Sequence, residues 1–420
     1  MQSKWFKNYD QIATSKQRQD LLAIAAAGLD AIDTESVIKN YLKITDYELR
    51  IKNQTFDLKK FKNIKVIGFG KVSCAAAVAL EQALKDKISE GIALGIEPIS
   101  CEVIQTYGGT HPQPSEHNVE ISGQIMELAK NATENDLVIV VVSGGGSALL
   151  CYPQNECDQG QILYHQFLKG GGTIEELNTV RKHISQLKGG GLAKLLYPAT
   201  VIGLIFSDIP GDDYSEVASG PTFFDPTTVA DAERIIKKYG LSRFQLNETP
   251  KEQKYFEQVT NIPLVANSDA LEAMAAQSKA LGYSPAILSN EMYDEAPMLL
   301  TKMRAALAKN SLVLAGGEPR MFVRDGSASG GRNLYVSLRA ATQIRADECF
   351  LALASDGLDN SDAAGAIVDK QTLDKIKTAK LDVKGHLRHF DGYNFFKQLD
   401  ELIFTGPTQA NVSDLFILLK

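Results

Sequence analysis

Several things are missing from this chain of 420 residues, and each absence closes off a class of function. No run of about 18 apolar residues occurs, so no transmembrane helix is expected and no membrane partner is predicted. The net charge of −7 is spread along the chain without a basic block, which argues against nucleic acid as a partner. The five cysteines (Cys74, Cys101, Cys151, Cys157 and Cys349) form no CxxC and no metal-like spacing, so reduced thiols in a cytoplasm are the expectation. His386 and His389 form a pair with no third ligand nearby, and His111 stands among turn residues, so the histidines read as surface or core groups. There is no Ser/His/Asp or Cys/His arrangement, no GxxxxGK[ST] phosphate loop and no protein-kinase signature set. Internal repeats and low-complexity tracts are also lacking. Leu21–Gly28 superficially resembles a signal-peptide core. Acidic residues flank it, however, and Leu22, Ala25, Leu29 and Ile32 share one helical face, which predicts an amphipathic helix of the mature protein.

What is present is an ordinary globular composition, 44% hydrophobic and 23% charged, long enough for two or three domains. Short apolar runs alternate with helical patterns, which predicts α/β layers and a largely parallel sheet. Strands are expected at 64–68, 91–96, 102–106, 137–142 and 201–206, then at 263–266, 285–288, 311–315 and 350–354. Helices are expected between them, including 116–130, 174–187 and 228–239, and later 268–281 and 294–309. Apolar density falls between about 241 and 262, predicting domains at 1–245 and 262–420.

The most informative stretch runs from Asp136 to Leu150. The unbroken run Leu137–Val142 suits a strand covered on both faces. It enters Ser143, Gly144, Gly145, Gly146 and Ser147, then helix formers. Strand, glycine turn and helix start together point backbone N–H groups at an anion, although a tight turn needing small residues would read the same way. Gly68-x-Gly70-x-x-Ser73 nearly matches a dinucleotide fingerprint but lacks the third glycine. Lys71 inside it would pair with a phosphate at a helix N-terminus, or else lie exposed on a first turn.

Further along, Arg181, Ser185 and Lys188 recur on one face of the 174–187 helix, with Lys182 and His183 beside them. These cations could clamp an anion or simply complement the helix dipole. Ser207–Asp213 follows a buried strand at the end where open α/β sheets put ligands. Asp208 and Asp212 could hold Mg²⁺, or one could take a proton from an alcohol, or both could lie in a surface turn. Ser219, Gly220 and Thr222 form a polar loop suited to an oxyanion. The second half adds Glu318, Arg332 with Asn333, Asp356, Thr405 and Asn411 on glycine-containing loops.

Together these motifs resemble the class II glycerate 2-kinases, the MOFRL family. The resemblance rests on GFGK ending at Lys71, HPQPSE from His111, SGGGSALL from Ser143 and ELNTVRKHISQLKGG from Glu176. It continues with SDIPGDDYSEVASGPT from Ser207, GGE from Gly316, GGRN from Gly330, SDGLDNSDAAGA from Ser355 and TGPTQANVSDL from Thr405. It implies two α/β domains, the first Rossmann-like with a mainly parallel sheet, and an active-site cleft between them. It implies ATP and Mg²⁺ as cofactors, D-glycerate as substrate, 2-phosphoglycerate as product, and Lys71 and Arg332 as the functional cations; a homo-oligomer is compatible with it. Relatives of the family often carry a hydroxypyruvate reductase label. An NAD(P)H-dependent reductase is therefore the alternative, followed by a non-catalytic metabolite-binding relative. The chain departs from the family's pattern at Pro319-Arg320, at Leu334-Tyr335 and in a shorter loop over 355–365.

Overall fold

The computed structural model describes residues 4–170, 172–241, 244–307, 311–321 and 329–420. They form two compact units. One comprises Thr34–Ser207 with Asp213–Val265, the other Met1–Asp33 with Asp208–Asp212 and Ala266–Lys420. We call them the sheet unit and the terminal unit.

The sheet unit is built on six strands, all parallel: Asn63–Phe69, Ile88–Gly95, Ile104–Gly108, Asp136–Ser143, Thr200–Phe206 and Val259–Val265. Numbered by chain order, they lie 3-2-1-4-5-6 across the sheet. This is the dinucleotide-fold order, whose ligands bind where the strand order reverses, outside the carboxyl ends of strands 1 and 4. Asp136–Ser143 is buried at every position, as its aliphatic run predicts. A small antiparallel sheet, Leu42–Ile44, Glu48–Ile51 and Gln54–Asp57, precedes the first parallel strand. Its strands are too short and too polar to stand out in the sequence.

The terminal unit's sheet is different. Its order is Ser284–Ser289, Ser311–Gly317, Asp414–Leu419, Cys349–Ala354, Gly365–Val368, Leu402–Ile403. Only the first pair is parallel. The expected largely parallel arrangement thus holds for the first sheet and not the second, because the C-terminal strand inserts antiparallel into the middle. The large apolar side chains of Leu415–Leu419, Phe416 among them, are fully buried there, which is what draws the segment into a central position.

The contact boundaries also differ from the expected 1–245 and 262–420. Val259–Val265 pairs with Thr200–Phe206 and closes the first sheet. At the other end, helix Lys16–Ile32 packs on helix Asn267–Ala280, so closely that a Cβ at Gly28 would lie 2.8 Å from Met274 Cγ. Fully buried Arg18 secures this helix, with Nε and Nη2 each 2.7 Å from Asp369 and Nη1 2.7 Å from Glu401. The amphipathic reading of Leu21–Ile32 is correct; its partner, more than 200 positions away in the chain, was not legible. No helix among the described residues is long and apolar enough to cross a membrane.

Candidate active site

The sheet unit assembles its candidate residues at the reversal point. Gly70 ends the first strand with φ +113°, and Lys71 N–H donates to Gly144 O at 2.8 Å. Val72 N–H donates to Ser143 Oγ at 3.3 Å. The two turns are thereby stitched together, and a side chain at position 70 has no room, since a Cβ would lie 2.7 Å from the Ser143 carbonyl carbon. Gly145, at φ +77°, caps the single helical turn Gly146–Leu149. The first N–H groups of such a turn have no partner within it. A Cβ on Gly145 would meet Lys71 Cγ at 3.1 Å and the His111 ring at 3.2 Å, so both side chains flank the glycine turn. His111 is exposed, as its place among turn residues suggests, and it also forms part of this wall. The sequence offered no signal for this beyond its place in HPQPSE.

A polar network braces the turn from the other side. Ser147 Oγ and Ser219 Oγ are 2.8 Å apart, Ser219 donates to Asn178 Oδ1 at 3.2 Å, and Asn178 Nδ2 donates to Glu216 at 2.8 Å. Ala218, Ser219 and Gly220 all have positive φ, and a Cβ on Gly146 would be 2.6 Å from Ala218 Cβ. Two consecutive non-glycine residues in this region mark a loop held in place against its own preference. Thr222 faces away from this network: its hydroxyl bonds Asn261 at 2.7 Å and ties the loop to the last strand.

The expected cation stripe is only partly realised. The helix stops at His183, because Ser185 Oγ captures the N–H groups of Leu187 and Lys188 and redirects the chain. Lys182 is buried against Glu216 at 2.6 Å, and buried Lys188 pairs with Glu156 and with Leu150 O, each at 2.7 Å. Both charges are internally matched. Arg181 is the exception. Among the described residues its guanidinium donates one hydrogen bond, to Asn178 Oδ1 at 2.9 Å, and no carboxylate lies within ion-pair distance. Loss of water pushes its pKa down to about 10, with Tyr164 and Glu216 pulling the other way. It lines a cavity of ≈ 250 Å³ whose walls include His111, Gly145, Ser147, Leu177 and Lys188.

The same cavity wall corrects the expectation about cysteines. Cys151 and Cys157 form a disulfide, while Cys74, Cys101 and Cys349 are free. The start of helix Gln154–Gly170 folds the two cysteines to a Cα separation of 5.5 Å. Their spacing in sequence carries no sign of this.

The terminal unit holds the remaining candidates in two clusters. In the first, Asp208 accepts from Asn411 Nδ2 at 3.2 Å and its carbonyl accepts from Ser413 Oγ. Asp212, at φ +60°, accepts from Asn290 Nδ2 at 3.1 Å through Oδ2, while its Oδ1 is buried without a hydrogen-bond partner among the described residues. In the second, Arg332 Nε donates to Asp414 at 2.9 Å and Nη2 to Glu318 at 3.0 Å, with Asn333 bonded to Asp414 and Asp359. Asp414 and Asp359 were not singled out from the sequence. Asp356 caps its own turn by accepting from Leu358 N–H at 3.1 Å, and Thr405 Oγ1 donates to Gly406 O at 2.7 Å, which makes both loop-shaping groups. The departures Leu334 and Tyr335 are core residues, Tyr335 stacking on Phe390 at 5.1 Å, so they alter packing and not the charged surface. Residues 322–328, which lead into the GGRN motif at Gly330, lie outside the described residues.

Comparison with known proteins divides the chain by sequence, and the first match takes in residues 20–33 and 208–212 of the terminal unit. Residues 20–252 match a domain of unknown function, DUF4147, and residues 311–414 match the MOFRL family. The D-glycerate 2-kinase of Thermotoga maritima is 32% identical over 416 residues, covering 92% of this chain and 99% of its own. The chain belongs to the glycerate 2-kinase family. A crystal structure of glycerate kinase from Thermotoga maritima superposes with a TM-score of 0.81 at 29% identity, covering 96% of this chain and 98% of that one. An Agrobacterium vitis protein that carries a provisional hydroxypyruvate reductase name is 35% identical over 380 residues, covering 84% of this chain and 86% of its own. Members of this family named glycerate kinase are phosphotransferases acting on an alcohol.

Proposed function

We propose that this chain transfers the γ-phosphoryl group of ATP to the 2-hydroxyl of D-glycerate, giving 2-phosphoglycerate and ADP in a cytoplasm. The observation that carries the proposal is Arg181, a cation without a carboxylate partner among the described residues, in a small, mostly apolar cavity at the edge of the Gly144–Ser147 turn. A cavity of ≈ 250 Å³ suits a three-carbon acid and is too small to enclose a nucleoside triphosphate. Guanidinium matches a carboxylate bidentately, so Arg181 grips the glycerate carboxylate. The turn amides and Lys71 hold phosphate oxygens, and Arg332 neutralises charge that builds on the transferring group. The glycerate hydroxyl oxygen forms the new P–O bond as the bond to the β-phosphate oxygen breaks. Asp208 or Asp212 accepts the hydroxyl proton.

The family implies Mg²⁺, and the residues suit it in one respect. Mg²⁺ usually takes one or two carboxylates, several waters and substrate phosphates. The buried, unpartnered Oδ1 of Asp212 is an oxygen of the kind a hard cation satisfies, with Asp208 on the same loop. When bound, the ion would supply charge neutralisation on the phosphates. A reductase is less well supported. Ser73 fills the third glycine position of the fingerprint, where close helix–strand packing calls for glycine, and its hydroxyl is spent on Gly70 O and Leu94 O at 2.8 Å. Parallel assays separate the two readings. ATP-dependent loss of D-glycerate supports the kinase, whereas NADH oxidation with hydroxypyruvate and no ATP requirement overturns it.

A further inference from the structure

Arg332 stands where electrostatics disfavours it. It is the first residue of helix Arg332–Ala341, at the positive end of the helix dipole, which attracts carboxylates and repels cations. Three carboxylates from three separate segments surround it. Asp359 serves the helix end itself: Oδ2 accepts from Leu334 N–H at 2.7 Å and Gly331 N–H at 3.1 Å, and Oδ1 from Asn333 N–H at 3.1 Å. That leaves Glu318 and Asp414 for the guanidinium. They differ in freedom, because the Glu318 side chain is 40% exposed and that of Asp414 only 5%. Asp414 opens the central strand Asp414–Leu419, whose neighbours on both sides fix its backbone. Its Oδ2 takes Arg332 Nε at 2.9 Å and its Oδ1 takes Asn333 Nδ2 at 2.7 Å, so both oxygens are fixed. Arg332 is thus held from its inner edge while its side chain keeps 37% exposure.

We infer that Asp414 is the positioning residue for Arg332: it clamps Nε so that the outer part of the guanidinium is presented as a rigid cation to a phosphoryl oxygen. Asn333 is the second arm, bridging Asp414 and Asp359 so that the clamp cannot turn. The inference rests on the kinase reading for what Arg332 meets, but the clamp itself is independent of it. The groups facing Asp414 are Arg332 and Asn333 from the helix, Glu318 beyond strand Ser311–Gly317, and Asp359 from the loop after Cys349–Ala354. Burial pushes the Asp414 carboxyl up to about 7; Arg332 opposes this, and the negative charges of Asp359 and Glu318 add to it. The clamp is therefore fully charged only on the alkaline side of neutrality.

Asp414→Asn keeps the size and removes the charge. Two readouts apply to the full-length protein: kcat and KM across pH with ATP, Mg²⁺ and D-glycerate, and the ¹⁵N resonance of the Arg332 Nε–H. In the wild type that resonance is sharp and slow to exchange. In Asp414→Asn it is lost to exchange, kcat falls at least about tenfold with little change in KM, and the acid limb of the kcat profile near neutrality disappears. Unchanged kcat and an unchanged resonance would overturn the inference. If Asp414→Asn does not fold, Asn333→Ala loosens the second arm: the resonance is lost to exchange and kcat falls while the acid limb stays, since Asp414 is still there to titrate, and an unchanged kcat with an unchanged resonance would again overturn the inference. A wild type inactive on glycerate overturns the kinase reading, and the resonance then decides the positioning role alone.

Discussion

Replacing Gly70 with alanine tests how tightly the two turns meet. The substitution adds one methyl group, at a residue whose φ is +113° and whose new Cβ would lie 2.7 Å from the carbonyl carbon of Ser143. Two costs arise. Holding a non-glycine residue at this φ costs about 1–3 kcal/mol. The close approach costs about 1–3 kcal/mol more, since Ser143 ends a strand buried at every position and its backbone cannot retreat without disturbing the sheet. Gly240→Ala separates the two effects. Gly240 also has positive φ, at +61°, but a Cβ there meets nothing within 4 Å among the described residues. Gly240→Ala should lower the melting temperature by a few degrees, and Gly70→Ala by roughly 5–20 °C, at about 2–4 °C per kcal/mol for a domain of this size. Surviving Gly70→Ala protein should also turn over at least about tenfold more slowly, because Lys71 and Gly144 are held by the bond that the methyl displaces. Equal melting temperatures for the two variants, with activity retained by Gly70→Ala, would refute the reasoning.

Other expectations rest on buried charge. Arg18→Ala leaves Asp369 and Glu401 without their shared cation, and chemical denaturation should show a loss of about 3–5 kcal/mol; a loss under about 1 kcal/mol would mean that the triad does not secure the first helix. Arg181→Met should do the opposite to stability. Removing a cation that lacks a matching carboxylate leaves the melting temperature unchanged or raised, while the KM for D-glycerate rises at least about tenfold; a destabilised variant with normal kinetics would make Arg181 structural. Asp414 predicts a signed pH effect. Its folded-state carboxyl titrates near 7, above the ordinary value of about 4, so the folded protein binds more protons between these limits and Asp414's contribution to stability falls as pH rises through that window. The melting temperature of Asp414→Asn relative to wild type should therefore climb from about pH 5 to about pH 7 and then level off, and a flat difference would contradict the shift.

The parts of this structure that were legible are those fixed by local pattern. The run Leu137–Val142 with its glycine turn announces a buried parallel strand and a tight strand-to-helix connection, and the helix at Glu116–Lys130 has the bounds its periodicity suggests. What escaped depends on partners distant in sequence. Lys182 and Lys188 read as free cations because Glu216 and Glu156 carry no sign of being their partners. Asp414 looked like one acid in a loop motif until the C-terminal strand placed it under Arg332, 82 positions earlier in the chain. Pro263–Ala266 read as the start of a second domain because a strand's sheet is chosen by tertiary pairing, not by its own composition.

The central claim is that this chain phosphorylates the 2-hydroxyl of D-glycerate. It is tested most directly by ³¹P NMR of the product formed from purified protein, ATP, Mg²⁺ and D-glycerate. The account predicts 2-phosphoglycerate and ADP accumulating together. Accumulation of 3-phosphoglycerate, or no phosphorylated product from a folded protein, would contradict it.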